Sequence, residues 1–142
     1  MAGFCPRIFA GWFARYNPGM GSVDENVEQF NKGLYFDAHE RWEKLWRAEE
    51  DNGRKALFQG MIKIAAAFHH LIRGEAAGAA KLLESGLALV QRHEELWETE
   101  FPGWNIGKFV KEVKTFTELR SGKALCANLP RIVRKGTFIP AH

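Results

Sequence analysis

An imidazole and several carboxylates lie close together in residues 30–46, which read FNKGLYFDAHERWEKLW. His39 and Glu43 are four positions apart, so on a helix their side chains leave the same face, one turn apart. A carboxylate beside a histidine orients the imidazole and strengthens it as a base, which suits a general base or a metal ligand. This pair is therefore the first candidate for chemistry in the chain.

A counterpart is predicted on the following helix, where Gln59, Lys63 and His70 form a narrow polar line along an otherwise apolar cylinder. If that line faces His39 and Glu43, the two helices enclose one volume lined by polar groups, with aromatic rings as its walls. The predicted binding residues are Tyr35, His39, Glu40, Glu43, Trp46, Gln59, Lys63 and His70.

Part of this charge has a structural explanation. The pairs Asp37–Arg41, Glu40–Lys44 and Glu43–Arg47 each place the acid four residues before the base. That order stabilises a helix by about 0.2–0.5 kcal/mol per pair, so a solvated, salt-bridged face explains Asp37 and Glu40. Trp42 and Leu45 belong to the apolar stripe that faces the core. Only His39, Glu43 and Trp46 then remain as candidates for a site.

Three interpretations of the cluster stay open: a structural polar network, a site for a small molecule or anion, and a metal site. His39 and Glu43 supply two ligands where zinc needs three or four, and the ammonium of Lys63 opposes a divalent cation. H-E-x-x-E also differs from the H-E-x-x-H of zinc proteases. We therefore predict no bound metal and no other cofactor.

The elements that must position these residues are helices. Apolar periodicity, a Ser22–Glu25 capping box and glycines at helix ends predict helices over about residues 23–32, 35–49, 54–73, 75–93 and 106–119. The third is apolar around more than half its circumference and should lie in the centre. In the fourth, Gly78 and Gly86 should admit a neighbouring helix closely. We therefore predict an all-α, single-domain bundle of about five main helices.

The predicted domain order is an amphipathic segment over residues 1–21, the helical bundle over 22–120 and an extended basic tail over 121–142. Residues 22–107 hold 10 Lys/Arg against 15 Asp/Glu, whereas residues 108–142 hold 8 against 2. The basic tail favours packing against an acidic body, its own or a partner's, over nucleic-acid binding. The aromatic N-terminal segment favours docking on its own domain or a second subunit over a membrane surface.

Composition bears on the cellular compartment in which the protein is expected. No apolar run approaches the roughly 20 residues that a membrane span needs, and no cleavage site follows the apolar N-terminus. Cys5 and Cys126 show no metal-ligand spacing and fit reduced thiols. These features predict a cytoplasmic protein without a transmembrane segment.

The segment around His39 resembles the domain of unknown function family DUF309, whose signature reads approximately F-N-x-G-x-[YF]-[FY]-[ED]-A-H-E-x-x-E-x-x-W. A second block, Gln59 to Ile62 followed by Gly78-Ala79 and a leucine pair, extends the resemblance over about residues 27–90. Lys63 stands where the family usually has glutamine. The matching signature residues are Phe30, Asn31, Gly33, Tyr35, Phe36, Asp37, Ala38, His39, Glu40, Glu43 and Trp46. The resemblance implies a small all-helical bundle in a mainly prokaryotic, soluble protein, and it implies no established activity.

Three functions follow as hypotheses. Aromatic richness without a complete catalytic set favours a non-catalytic helical domain, self-associating, that binds a partner or small ligand through a groove around His39 and Glu43. The alternative is a hydrolase-like or metal-assisted enzyme that uses the same pair with Gln59 and His70. The third is nucleic-acid binding by the basic C-terminal segment, which requires a steeply salt-dependent affinity.

Overall fold

The computed structural model describes residues 23–119 and 129–136. These residues form six α-helices and an isolated antiparallel bridge between Trp104 and Arg134, without a β-strand. The helices are α1 (Val23–Asn31), α2 (Tyr35–Ala48), α3 (Asn52–Ile72), α4 (Ala76–Arg92), α5 (Trp97–Glu100) and α6 (Ile106–Leu119), and a 3-10 turn, Glu94–Leu96, precedes α5. The predicted all-α bundle is therefore confirmed.

Local signals set most of the helix ends. The carboxylate of Asp51 accepts the Arg54 backbone N–H at 2.9 Å and caps the start of α3. After α1, Gly33 adopts a φ of +86° while the Leu34 N–H bonds back to the Gln29 carbonyl at 3.0 Å. This is a Schellman end, which glycine makes without the strain that a Cβ would add. The helix bounds agree with the predicted ones within two residues.

The third helix is central, as its apolar circumference predicted. It packs between α2 and α4 and has nine buried residues. Its contact with α4 is closest where Gly60 faces Gly86: a Cβ built on Gly60 would lie 2.8 Å from the Gly86 carbonyl oxygen. The prediction of a close helix approach is correct for Gly86. It is wrong for Gly78, where an added Cβ would meet nothing within 4 Å.

Aromatic rings fill the middle of the bundle. Phe30 of α1 lies at the centre, with ring centroids 5.1 Å from Tyr35, 5.9 Å from Trp42, 5.5 Å from Phe68 and 5.5 Å from Phe109. These contacts join α1, α2, α3 and α6. Edge and tilted ring pairs add about 0.5–1.5 kcal/mol each beyond the burial of their surface. The core therefore fixes the side of α2 that faces inward, and with it the side left for a site.

The described part of the C-terminal tail, residues 129–136, is non-helical and lies against the bundle. The Asn31 side chain makes two hydrogen bonds to the Ile132 backbone, donating to its carbonyl at 2.7 Å and accepting its N–H at 2.8 Å. Arg134 places its guanidinium 4.1 Å from the centre of the Trp104 ring. This tail segment packs on its own domain, one of the two placements that the charge distribution predicted.

Several expectations fall outside the described residues: the Ser22 cap, the N-terminal amphipathic segment, both cysteines and the remainder of the tail. None of the described helices combines the length and the apolar character needed to cross a membrane.

Candidate functional site

The candidate site lies on the α2 surface next to α3. The two helices run side by side in opposite directions, because only residues 49–51 connect them. At one end, the Lys55 ammonium lies 4.4 Å from the Trp46 ring centre and donates to the Trp46 carbonyl oxygen at 2.9 Å. At the other end, the Phe36 and His69 rings meet at 5.5 Å. His39 and Glu43 occupy the middle of this strip.

Three side chains of α2 converge there. His39, Glu40 and Glu43 each offer a ligand atom, and these atoms lie within 4.8 Å of one another. The imidazole Nδ1 is 3.8 Å from the nearer Glu40 oxygen, which is within ion-pair range and too long for a hydrogen bond. Glu43 is the expected partner of His39, and Glu40 completes the set. The arrangement is a nitrogen and two carboxylates around one small volume.

Burial differs across this cluster. His39 is three-quarters buried, and its Nδ1 is closed off from solvent without a hydrogen-bond partner among the described residues. Phe36 covers the imidazole from one side with a nearly parallel ring, 6.1 Å between centroids. Glu40 is half exposed, and Glu43 binds the Arg47 guanidinium at 3.6 Å. The cluster therefore has a buried nitrogen and two carboxylates that are more accessible to solvent.

Three of the other predicted binding residues make their contacts away from this cluster. Tyr35 is buried in the aromatic core between Phe30 and Phe68. Lys63 has its Cβ next to Gly86, so its stem lies on the α4 side of α3. His70 is hydrogen-bonded to Glu75 at 2.7 Å across the turn into α4. Their participation in the site around His39 stays a prediction.

The remaining two predicted residues, Trp46 and Gln59, are partly buried, and Trp46 lies at one end of the strip between α2 and α3. Trp46 already has a cation over its ring, the ammonium of Lys55 described above. Lys55 was not among the predicted site residues. The short connection between the helices was a signal for this contact, because Lys55 follows Trp46 by only nine residues and the two helices are antiparallel.

Sequence reasoning also missed Phe36. It is 53% exposed, and its ring contacts both His39 and His69. A large aromatic side chain in the first turn of a helix, on the same face as a histidine three residues later, was the available signal.

Two pKa shifts describe the surroundings of the site. The hydrogen bond with His70 holds the pKa of the exposed Glu75 carboxyl below its ordinary value. Partial burial lowers the pKa of Arg54, but the carboxylates of Glu100 and Glu49 outweigh it and hold that pKa above its ordinary range. Both groups are engaged in ion pairs with neighbours outside the His39 cluster.

The comparisons agree with the resemblance that the signature predicted. Residues 23–82 match the family model described as domain of unknown function DUF309. The chain is also 33% identical over 69 residues to the uncharacterized protein YpuF of Bacillus subtilis (strain 168), a match that covers 49% of this chain and 40% of that protein. The chain thus spans less than half the length of this relative. No solved structure matches the chain significantly.

The matched region includes α1, α2, α3 and the start of α4, so all three residues of the cluster lie within it. The family description states no activity, and the relative's name states none either. The function must therefore be argued from the geometry of the site.

Proposed function

We propose that this protein is a non-catalytic helical binding domain whose ligand is a divalent transition-metal ion, held by His39, Glu40 and Glu43. The observation that carries the proposal is the convergence of their ligand atoms within 4.8 Å. This proposal departs from the sequence-based prediction of no metal, which rested on two ligands and an opposing lysine. Glu40 would supply a third ligand beside the imidazole, and the stem of Lys63 lies beside α4.

The spacing suits an ion. Metal–ligand bonds to imidazole nitrogen and carboxylate oxygen measure about 2.0–2.2 Å, so ligand atoms around one ion lie roughly 3–4 Å apart. The distance of 3.8 Å from His39 Nδ1 to Glu40 falls in that interval. Since Glu40 is half exposed, a change of rotamer closes the remaining gap at little cost.

The buried Nδ1 gives an energetic reason for a ligand. An imidazole nitrogen shut away from water without a hydrogen bond costs about 1–3 kcal/mol. A cation bound to that nitrogen removes this cost. It also neutralises the repulsion between the Glu40 and Glu43 carboxylates. The Phe36 ring lies nearly parallel to the imidazole on one side of it.

The donor set restricts the kind of ion. One imidazole and two carboxylates suit zinc, manganese or ferrous iron better than soft, thiolate-preferring ions. Three protein ligands from one helix leave coordination positions open, as in sites that take water or a second ligand. A small molecule with a carboxylate or hydroxyl group therefore fits the fourth position. This places metal and small-molecule binding at the same site.

Titration calorimetry tests the proposal on the chain without a histidine tag, with Zn²⁺, Mn²⁺ and Co²⁺. We expect one ion per chain, and for Co²⁺ a visible absorption spectrum typical of nitrogen and oxygen ligands. His39→Ala and Glu43→Gln should weaken binding at least tenfold, because each removes a direct ligand. His70→Ala is the matched control, since it removes an imidazole that also lies beside a carboxylate.

Two results would overturn the proposal. One is the absence of stoichiometric binding by any of the three ions to a chain whose circular dichroism shows the helical fold. The other is equal loss of binding in the His39→Ala and His70→Ala variants, which would indicate general surface binding to histidines.

A second binding role is favoured by a separate observation. Within residues 23–119 and 129–136, the large exposed apolar side chains are Leu34, Phe36 and Ile72, between 44% and 53% exposed. Leu34 precedes α2, Phe36 is in its first turn and Ile72 ends α3. The Phe36–His69 contact brings these two helix ends together. Exposed apolar side chains near one another are a feature that association surfaces share. We propose a second copy of the chain as the partner.

Analytical ultracentrifugation over a range of concentrations tests self-association. The wild-type chain should dimerise, and Phe36→Ser with Ile72→Ser should shift the equilibrium toward monomer. A control pair of substitutions, Lys44→Ser with Lys81→Ser, alters exposed residues elsewhere and should leave the equilibrium unchanged. A wild-type chain that stays monomeric at all concentrations would exclude this role.

The enzymatic alternative, with His39 as base or with a metal-bound water, stays a prediction, as do nucleic-acid binding, prokaryotic origin and a cytoplasmic location. His70, which the enzymatic hypothesis requires, is hydrogen-bonded to Glu75 instead.

A further inference from the structure

A groove unrelated to the His39 cluster lies between α6 and the tail segment 129–136. Its volume is about 670 Å³. This size falls in the range of about 300–1,000 Å³ that is usual for small-molecule sites. One wall is the exposed side of α6, and the other is the chain around Pro130 and Val133.

The rim of the groove is cationic. Lys108, Lys111 and Arg131 line it, together with one acid, Glu112. Glu112 pairs with Lys108 at 3.6 Å. Within the part of the chain that the structure describes, Lys111 and Arg131 form no ion pair, so two positive charges face the groove without a protein counter-charge.

The floor of the groove is apolar and packs against the core. Phe116 lies in it and packs edge-on against Phe68 of the core, 6.1 Å between ring centroids. Leu129, Pro130 and Val133 supply the opposite apolar surface.

The tail wall is fixed by backbone hydrogen bonds. The Asn105 N–H donates to the Val133 carbonyl at 2.7 Å. The Asn31 side chain donates to the carbonyl of the preceding residue, Ile132, and accepts its N–H. A groove with fixed walls is pre-formed, so a ligand loses little free energy in shaping it.

We propose that this groove binds a small organic anion with an apolar body, a carboxylate on an alkyl or aromatic group. The apolar part lies against Phe116 and Val133, and the carboxylate lies between Lys111 and Arg131. The charge complementarity selects an anion, and the apolar floor selects one that carries hydrocarbon. This ligand differs from the metal ion proposed for the His39 cluster and from the second copy of the chain proposed for the exposed start of α2.

The probe is decanoate, titrated below its micelle-forming concentration into the full chain in the presence of a chelator. Two comparison ligands separate the contributions: decanol has the same hydrocarbon without the charge, and acetate has the charge without the hydrocarbon. We expect decanoate to bind at least tenfold more tightly than either, with amide shifts in nuclear magnetic resonance spectra confined to α6 and residues 129–136.

The variants Lys111→Gln and Arg131→Gln should each weaken decanoate binding several-fold and leave decanol binding unchanged. Lys44→Gln, which removes an exposed lysine of α2, is the matched control and should have no effect. All three positions are on the surface, so we expect each variant to keep its helices, and circular dichroism checks this.

The inference is overturned if decanoate fails to bind. It is also overturned if decanol binds as well as decanoate, or if the Lys111 and Arg131 variants bind decanoate like the wild type. Because the chelator removes metal ions, failure here is independent of the outcome for His39.

Discussion

At the scale of single residues, Glu43 is shared between Arg47 and the proposed metal ion. Arg47 is largely exposed and lies 3.6 Å from a Glu43 oxygen. An exposed pair of this kind is worth about 0.2–1 kcal/mol. A metal ion on Glu43 must weaken that pair, so the guanidinium competes with the ion for the carboxylate.

We therefore predict that Arg47→Gln strengthens metal binding, by up to about fivefold if the whole pair energy is recovered. Calorimetric titration at low and high salt measures the effect, which should shrink as salt screens the guanidinium. Arg73→Gln is the control, because Arg73 lies near Glu75 in a comparable surface pair. Weaker binding by the Arg47 variant would contradict the proposed ligand role of Glu43.

The spacing of His39 and Glu43 was sufficient to predict that they share a face, because that follows from helical geometry alone. Partners on other helices could not be predicted in the same way. Arg41 was expected to bind Asp37 but contacts Glu25 of α1 at 3.2 Å, and Glu40 approaches His39. A helical wheel gives the direction of a side chain but not what lies there, so local pairing rules gave the wrong partner for Arg41.

At the scale of elements, the contact between α3 and α4 depends on two glycines, Gly60 and Gly86. A Cβ on Gly60 would lie 2.7 Å from a Val90 methyl carbon and 2.8 Å from the Gly86 carbonyl oxygen. Because one of these atoms is backbone, α3 and α4 would have to move apart.

Gly60→Ala should therefore destabilise the fold by roughly 1–3 kcal/mol, the usual cost of overpacking. Gly78→Ala should have the opposite sign and stabilise by up to about 1 kcal/mol, because alanine favours the helix and its Cβ meets nothing within 4 Å. Urea denaturation of both variants gives the two free energies of unfolding. Equal effects from both variants would exclude a packing role for Gly60.

A third prediction concerns the attachment of residues 129–136. Lys135 forms an ion pair with Glu98, and the hydrogen bond from Lys135 holds the pKa of Glu98 below its ordinary value of 4.5. A carboxyl with a lowered folded-state pKa stabilises the fold at pH values above 4.5 and loses that contribution as pH falls through the lowered value.

Nuclear magnetic resonance should therefore show Glu98 titrating below 4.5, with the Lys135 amide signal, hydrogen-bonded to the Gly103 carbonyl, shifting in the same pH interval. In Glu98→Gln, that amide should lose this titration. An unshifted Glu98 pKa would show that the ion pair does not persist in solution.

Helix bounds were predicted well because caps and glycine ends are local signals. The 3-10 turn and α5 were not predicted, since four residues carry no readable periodicity. Tertiary bonds accompany this segment instead: the Trp97 indole donates to the Val90 carbonyl at 2.8 Å, and Glu100 binds Arg54 at 2.9 Å. Such partners are distant in the sequence and only the folded chain identifies them.

At the scale of the whole molecule, periodicity predicted the all-α class and the central position of α3. It did not predict the partners of the polar line on α3: His70 is hydrogen-bonded to Glu75 across the turn into α4, and the stem of Lys63 lies beside Gly86 of α4. The order of helices around α3 decides which polar residues meet. That order results from the packing of the whole aromatic core, which a single helix pattern does not contain.

The network that joins α2, α3 and α5 gives the last prediction. Arg54 donates to Glu100 at 2.9 Å and to Glu49 at 3.4 Å, and both carboxylates are buried. Arg54→Met leaves them in the interior without this guanidinium, which should cost roughly 3–5 kcal/mol. Domains of this size are stabilised by only about 5–15 kcal/mol in total, so the variant should unfold at far lower urea concentrations.

Adding Glu100→Gln to Arg54→Met should restore part of the lost stability, because a neutral amide is easier to bury than a carboxylate. The free energy of unfolding, followed by tryptophan fluorescence in urea, measures both variants. A loss below about 1 kcal/mol, the value of a surface pair, would show that the buried carboxylates are stabilised by other neighbours.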